Sequence, residues 1–251
     1  MKQPTERATA KSVQNREQEL NAFLDKVAST PPRAKGGRRG RLIFAMDATL
    51  SREPTWDRAC QIQGEMFRET AAIGGLDVQM VYFRGFGECR RSKWVNSADA
   101  LLDLMTGVRC RGGHTQIDRV LRSALSETKK SKVDALVYVG DCMEEDADGL
   151  CALAGELGLL GVPVFVFQEG YDPTAERAFR EITRLTNGAY CRFDASSADQ
   201  LRNLLKAVAV YAAGGLRALS DLSDKLGGEV TLLTSRLTSA KAGAKAEGGP
   251  G

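Results

Sequence analysis

Three oxygen-bearing side chains stand two residues apart where an apolar stretch of the sequence ends. Asp47, Thr49 and Ser51 follow the run 40–46, which reads GRLIFAM. A buried strand that ends in a carboxylate and two hydroxyls suits two kinds of chemistry. Asp47 could be a nucleophile that accepts a phosphoryl group. Alternatively, the three side chains could bind a hard divalent cation, which prefers oxygen ligands.

Two further segments offer oxygen donors. Thr115 follows Gly112 and Gly113 at the predicted start of a helix, and Asp141 ends the apolar segment 133–140. A hard ion such as Mg²⁺ binds about six oxygens and usually retains some water. Together with the first group, these side chains supply five donors, two of them carboxylates. Such an incomplete shell leaves room for an oxygen from outside the chain.

The phosphoryl-transfer alternative fits the residues less well. The segment 47–51, DATLS, resembles the DKTGT motif of ion-pumping ATPases and, less closely, the DxDxT motif of haloacid-dehalogenase-like phosphatases. Thr49 stands where those phosphatases have a second Asp, so the general acid is missing. Leu50 replaces the flexible glycine of the ATPase motif, and the segment 112–115 is left without a role.

Apolar strands alternate with amphipathic helices from residue 41 onward, which predicts a doubly wound, mainly parallel α/β sheet with helices on both faces. Ligands of such sheets bind beyond the carboxyl ends of the strands. Because Asp47 and Asp141 both end apolar strands, they are predicted to share one site. The segment 88–95 is predicted to be a short strand joined to the segment 76–85 by a hairpin turn.

The three donor segments, in their order along the chain, resemble the metal-ion-dependent adhesion site of von Willebrand factor A domains. These domains are also called integrin I-like domains. The resemblance extends over residues 40–215 and rests on DATLS at 47–51, GGHT at 112–115 and GD at 140–141. It implies a six-stranded sheet whose antiparallel edge strand is 88–95. The sequence departs from the family at Thr49, where serine is usual. The resemblance implies that one Mg²⁺ or Mn²⁺ ion is surrounded by five side chains, the aspartates partly through water: Asp47, Thr49, Ser51, Thr115 and Asp141.

The resemblance also implies an intracellular binding module and not an enzyme. The ion would accept an Asp or Glu oxygen from a protein partner, and bacterial members of the family often act with AAA-type ATPases or assembly factors. Two alternatives stay open: a Mg-dependent phosphohydrolase with Asp47 as nucleophile, and an RNA-binding module like the Ro-type proteins. The features that favour RNA binding are the basic arm, residues 1–40, and the side chains of Arg90, Arg91 and Lys93. The arm lacks interleaved aromatic residues for base stacking, which counts against this alternative.

The chain is expected to be cytoplasmic from its segment patterns, and the family resemblance implies a bacterial member. No apolar run approaches the ~20 residues of a membrane span, and the N-terminus has no apolar core of a signal peptide. None of the six cysteines forms a CxxC pair, which argues against a zinc ribbon. His114, the only histidine, is expected to shape the rim of the site, and the acidic run 144–146 is expected to be solvated.

The sequence divides into three predicted parts. Residues 1–40 form a basic arm with a short amphipathic helix and a Pro/Gly/Arg linker, and ten Lys and Arg against four Asp and Glu stand in 1–41. Residues 41–215 form the von Willebrand factor A-like domain. Residues 216–251 form a C-terminal helix and an Ala/Gly/Lys-rich tail predicted to be disordered. The apolar stripe of the arm is predicted to dock on the domain or on a partner: Leu20, Phe23, Leu24 and Val27.

Overall fold

A computed structural model of the chain describes residues 39–53, 76–193 and 207–212. The amphipathic helix of the basic arm, the helix predicted at 55–73 and the C-terminal segment 216–251 lie outside these residues and stay predictions. Of the closing helix predicted at 197–216, only residues 207–212 are described, and they are helical.

Six strands form a single sheet in the described part of the chain. Most of their residues are apolar and buried, because helices cover both faces of the sheet. The strands are Gly40–Asp47 (β1), Leu76–Arg84 (β2), Glu88–Arg91 (β3), Ala135–Gly140 (β4), Val164–Glu169 (β5) and Ala189–Phe193 (β6).

The strand order is β3-β2-β1-β4-β5-β6, with β1 at the centre. All neighbours pair in parallel except β2 and β3, which pair antiparallel across a turn whose Gly85 has a φ of 61°. Only glycine adopts such an angle without steric cost. This architecture confirms the predicted fold class, including its antiparallel edge strand.

The edge strand is shorter than the predicted segment 88–95. Regular pairing stops at Arg91, and Val95 makes only an isolated bridge to Val78. The hydroxyl of Ser92 accepts a hydrogen bond from the backbone N–H of Met80 at 3.0 Å, so a side chain takes the place of a ladder carbonyl. This substitution explains why the ladder is interrupted there.

Four helices of eight or more residues occur in the described segments. Each of them lies within a segment that the sequence predicted to be helical. Three of them begin at a residue whose side chain caps the helix. Ser97 accepts from the N–H of Ala100 at 3.2 Å, Asp146 accepts from that of Gly149 at 2.8 Å, and Asp172 accepts from that of Ala175 at 3.0 Å. The helices are Ala98–Thr106 (α1), Ile117–Lys130 (α2), Ala147–Leu159 (α3) and Pro173–Leu185 (α4).

Two hydrophobic cores lie on opposite faces of the sheet. On β1, Leu42 and Phe44 face the core shared with α1 and residues 207–212. Ile43 and Ala45 face the core shared with α2, α3 and α4. Both faces of β1 are thus buried, and Asp47 stands at its carboxyl end. None of the helices in the described residues is both long and apolar enough to cross a membrane.

Candidate metal centre

Three loops meet at the carboxyl edge of the sheet, and hydrogen bonds join them. We call residues 47–53 the first loop, 109–116 the second loop and 141–146 the third loop. The N–H of Arg111 donates to the carbonyl of Ala48 at 3.0 Å, which links the first and second loops. The N–H of Glu144 donates to the hydroxyl of Thr115 at 3.0 Å, which links the second and third. The predicted donor segments therefore belong to one connected unit.

A close backbone approach sets the path of the second loop. A Cβ atom on Gly113 would lie 2.0 Å from the carbonyl oxygen of Gly85, so only glycine fits at this position. The N–H of His114 and the side-chain amide of Gln116 both donate to that same carbonyl, at 3.3 and 3.2 Å. These contacts hold the loop against the end of β2 and thereby place Thr115, which is buried.

The first loop begins with a tight turn around the carboxylate of Asp47. This side chain is 0% exposed, and its Oδ1 accepts from the N–H of Thr49 at 2.7 Å. Such a turn, in which an Asp binds the backbone two residues later, is a common local motif. The hydroxyl oxygens of Thr49 and Ser51 lie 3.0 Å apart. The spacing of two residues seen in the sequence thus places the two hydroxyls side by side.

The two predicted carboxylate ligands come together across the first and third loops. An oxygen of Asp47, an oxygen of Asp141 and the sulfur of Cys142 all lie within 4.8 Å of one another. Among the described residues, no hydrogen-bond donor contacts Oδ2 of Asp47 or Oδ1 of Asp141, although both atoms are buried. A buried carboxylate oxygen without a partner is costly. A divalent cation between these two oxygens would remove that cost, so the residues fit a metal ion.

Burial also changes the acidity of these groups. Desolvation raises the pKa of Asp47 to about 6; hydrogen bonds from Thr49 oppose the rise, whereas the charge of Asp141 adds to it. Burial and the neighbouring Asp141 raise the pKa of the Cys142 thiol far above its usual range. In the metal-free protein at neutral pH, Cys142 is therefore a neutral thiol. The nearby carboxylate of Asp47 is ionised, at a cost in folding free energy.

A buried arginine, Arg52, is a part of the site that we did not predict from the sequence. Its side chain is only 1% exposed, forms an ion pair with Glu169 at the end of β5, and lies 6.0 Å from the ring of Phe193. Burial lowers the pKa of Arg52, and the negative charges of Asp141 and Asp47 oppose that shift. With Glu169 matched by Arg52, the two aspartates leave a net charge of minus two.

The third loop also contains an unpredicted cap for α2. Glu145 was expected to be a solvated charge, but it accepts from the N–H groups of Ile117 and Asp118 at 2.6 and 2.9 Å. Gln116, the residue just before α2, does not cap this helix with its own side chain. A carboxylate at a helix N-terminus satisfies backbone donors and complements the helix dipole. Glu145 therefore ties the helix behind Thr115 to the loop that contains Asp141.

Exposed apolar side chains stand on the loops around the two aspartates. Leu50 lies in the first loop, Phe86 in the turn after β2 and Tyr171 just after β5. All three follow the carboxyl ends of strands, so they share one edge of the sheet. His114 lies on the same edge, where its ring meets that of Phe86 at 5.2 Å. We call Leu50, Phe86 and Tyr171 the apolar rim.

Solved structures with a similar fold include a VWA domain and a protein with a MIDAS motif. The VWA domain of SpRpn10 is 12% identical, with a TM-score of 0.54, and the match covers 65% of this chain and 94% of that one. An aerotolerance-related membrane protein from Bacteroides fragilis is 17% identical, with a TM-score of 0.51 and coverages of 66% and 98%. Proximal thread matrix protein 1 from the mussel byssus, with zinc in its MIDAS motif, is 14% identical, with a TM-score of 0.54 and coverages of 68% and 46%.

At the level of sequence, no protein-family model matches the chain, and no curated protein does so either. At identities this low, the structural similarities concern the fold alone. They confirm the resemblance that the three donor segments suggested, in the sense that the described residues have a von Willebrand factor A-like fold.

Proposed function

We propose that this von Willebrand factor A-like domain binds one divalent metal ion at the carboxyl edge of its sheet and uses the ion to bind a protein partner. The observation that carries the proposal is the pair of buried, unpartnered carboxylate oxygens on Asp47 and Asp141. The proposed ligand set is that of the sequence prediction: Asp47, Thr49, Ser51, Thr115 and Asp141.

The donor chemistry favours a hard ion, Mg²⁺ or Mn²⁺. Carboxylate and hydroxyl oxygens suit such ions, whereas zinc prefers nitrogen and sulfur and would deprotonate a nearby thiol. Cys142 lies close enough to offer that thiol, but sulfur is a poor ligand for the hard ions that the carboxylate and hydroxyl oxygens favour. An ion of charge two would also neutralise the net charge of minus two left by Asp47, Asp141, Glu169 and Arg52.

We expect Cys142→Ala to leave Mg²⁺ and Mn²⁺ binding within about twofold of the unchanged protein, because a protonated thiol is not a ligand for hard ions. Calorimetric titration of each ion, with Zn²⁺ in parallel, would measure this. Cys151→Ala, on α3, is the matched control. A loss of tenfold or more in Mg²⁺ affinity for Cys142→Ala alone would contradict the oxygen-only ligand set.

The proposed mechanism of recognition uses the coordination position that the protein leaves open. Five protein donors do not complete the roughly six positions of a hard ion, and an anionic oxygen displaces bound water better than a neutral amide does. An Asp or Glu of the partner would supply that oxygen. The second loop itself has exposed cationic side chains, those of Arg109 and Arg111, which would attract an acidic partner.

The apolar rim supports a protein partner and not a small metabolite. Large exposed apolar residues around a polar centre are typical of interaction surfaces. The burial of Asp47 also argues for recognition over catalysis, because a phosphoryl-accepting nucleophile has to reach its substrate. We propose an AAA-type ATPase or an assembly factor as the class of partner, on the family resemblance.

We expect random peptides selected on the Mg²⁺-loaded domain, and eluted with EDTA, to share an Asp or Glu next to an apolar residue. Phe86→Ala should weaken these peptides about tenfold or more without changing Mg²⁺ affinity, as an exposed aromatic anchor of an interface would. Leu159→Ala is the matched control, because Leu159 is as exposed but stands at the far end of α3.

Two results would refute the proposed recognition. One is that the selected peptides stay bound at full affinity in EDTA. The other is that they contain no acidic residue, or tolerate its replacement by Asn or Gln. Either would separate partner binding from the ion, even where the ion itself binds as proposed.

A further inference from the structure

We propose that a second site, away from the metal centre, binds the phosphate groups of a linear oligophosphate. The site is a cleft of about 330 Å³ between the edge strand β3 and helix α2. We call it the arginine cleft. The polar residues that line it are Arg90, Arg91, Arg119, Arg122, Ser123 and Ser126.

Helical spacing places one wall of the arginine cleft. Residues 119, 122, 123 and 126 are three or four positions apart on α2, so they share one face of the helix. The other wall is the segment 89–91 of β3, which pairs only with β2 in the described part of the chain. Because side chains alternate along a strand, Cys89 and Arg91 face α2, whereas the side chain of Arg90 stands on the opposite face. Side chains of the edge strand and of the helix face thus converge on one opening.

The arginines of the cleft are only weakly matched by carboxylates. Three of them reach a carboxylate oxygen no closer than 3.4 Å, which is long for a charge-assisted hydrogen bond. Their side chains are also substantially exposed, so these pairs hold them loosely. The pairs are Arg90 with Glu88 at 3.4 Å, Arg91 with Glu127 at 3.5 Å and Arg122 with Asp118 at 3.5 Å.

Two of those carboxylates are shared with other cations. Glu127 also accepts from Lys130 at 2.8 Å and pairs with Arg41 at 3.5 Å. Glu88 also pairs with Arg84 at 3.0 Å and with Arg111 at 3.6 Å. The cations around the cleft therefore outnumber the carboxylates, which leaves an excess of positive charge for an anionic ligand.

An unused hydroxyl points to the same kind of ligand. The Oγ atom of Ser123 is buried and has no hydrogen-bond partner among the described residues. A buried hydroxyl without a partner is unfavourable, and a phosphate oxygen would accept its hydrogen. This observation is independent of the charge excess, and it places a hydrogen-bond donor next to the guanidinium groups.

The lining of the cleft indicates which phosphate ligand would fit. Guanidinium groups bind phosphate oxygens in a bidentate geometry, and the three that face the cleft match a chain of phosphates better than a single one. They belong to Arg91, Arg119 and Arg122. The volume is near the lower limit of small-molecule pockets. No aromatic side chain lines the cleft for base stacking, which argues against single-stranded nucleic acid.

The test is binding of inorganic tripolyphosphate and of ATP to the full chain in low salt with EDTA. We expect both to bind, because the phosphate chain is the shared feature. In Arg91→Gln/Arg122→Gln the affinity should fall about a hundredfold, on the order of tenfold for each guanidinium lost. The matched control is Arg177→Gln/Arg184→Gln on α4, which removes the same charge from exposed positions and should change the affinity less than about threefold.

Ser123→Ala supplies a second readout. It should weaken the binding of tripolyphosphate about threefold to tenfold. The Tm of the free protein should stay unchanged or rise, because the hydroxyl has no hydrogen-bond partner to lose among the described residues. Since EDTA removes divalent ions, failure here would be distinct from failure of the metal proposal. The proposal would be overturned if tripolyphosphate did not bind, or if a single-stranded RNA bound and tripolyphosphate did not. Equal losses of affinity in the two double variants would overturn it as well.

Discussion

Asp47→Asn is expected to stabilise the metal-free protein while abolishing its response to divalent ions. Burial raises the pKa of Asp47 from its ordinary value of 3.8 to about 6, so keeping the carboxylate ionised at neutral pH costs about 3 kcal/mol of folding stability. Asparagine has nearly the same shape and no charge. Urea unfolding in EDTA at pH 7.5 should therefore show a gain of about 1–3 kcal/mol.

The dependence on pH has a definite sign. Because the pKa is higher in the folded state than in the unfolded state, protonation of Asp47 favours folding. That contribution is fully present below about pH 4 and is lost as the pH rises through about 6. The stability difference between Asp47→Asn and the unchanged protein should therefore grow between pH 4 and pH 7. Bound Mg²⁺ would favour the ionised form of Asp47 and not the protonated form. Stabilisation by Mg²⁺ should therefore fade below about pH 6.

Asp148→Asn is the matched control for that experiment, because Asp148 is exposed near the start of α3. It should change the free energy of unfolding by less than about 0.5 kcal/mol. Equal stability of Asp47→Asn and the unchanged protein at every pH would contradict a buried, costly carboxylate. A Mg²⁺-induced rise in Tm that survives in Asp47→Asn would remove Asp47 from the ligand set.

Arg52→Met is expected to destabilise the metal-free protein by about 3–5 kcal/mol, because it removes the cation that pairs with the largely buried Glu169. Adding Glu169→Gln should recover most of this loss, since both charges are then absent. Arg184→Met, which breaks an exposed pair with Glu181, should cost less than about 1 kcal/mol. Urea unfolding in EDTA would measure all of these variants.

The same substitution should raise affinity for Mg²⁺. Arg52 is a positive charge beside the proposed ion, and its removal makes the surroundings of that ion more negative. The nearby carboxylates are those of Asp47, Asp141 and Glu169. We expect a gain of about tenfold, which corresponds to about 1.4 kcal/mol. Calorimetry of the folded variant is the measurement, and an unchanged or lower affinity would show that Arg52 does not act on the site through its charge.

Much of the fold was predictable because local patterns determine it. The long apolar runs of β1, β4 and β5 mark strands buried on both faces, and the glycines and caps between them mark where the chain turns. The convergence of Asp47 and Asp141 followed from topology, since carboxyl ends of neighbouring parallel strands share an edge. These features depend on residue type and spacing alone.

The features that sequence reasoning missed depend on contacts between distant segments. Arg52 follows closely after two hydroxyl residues, which is typical of a surface loop. Nothing near it in the sequence marks Glu169 as its partner. Glu145 likewise caps a helix that begins some 28 residues earlier in the chain. The end of β3 depends on the hydroxyl of Ser92, whose hydrogen bond interrupts the ladder. Each becomes visible only when the segments are packed together.

The central position of β1 has a consequence for the order in which the protein is made. One neighbour of β1 is β2, whereas the other, β4, ends just before Asp141. At a synthesis rate of about 5–20 residues per second, the ribosome makes position 141 on the order of 5–20 s after position 47. Until then β1 has an open apolar edge, and the second carboxylate does not exist. The proposed ion, which would need both aspartates, would therefore bind only after synthesis has passed position 141.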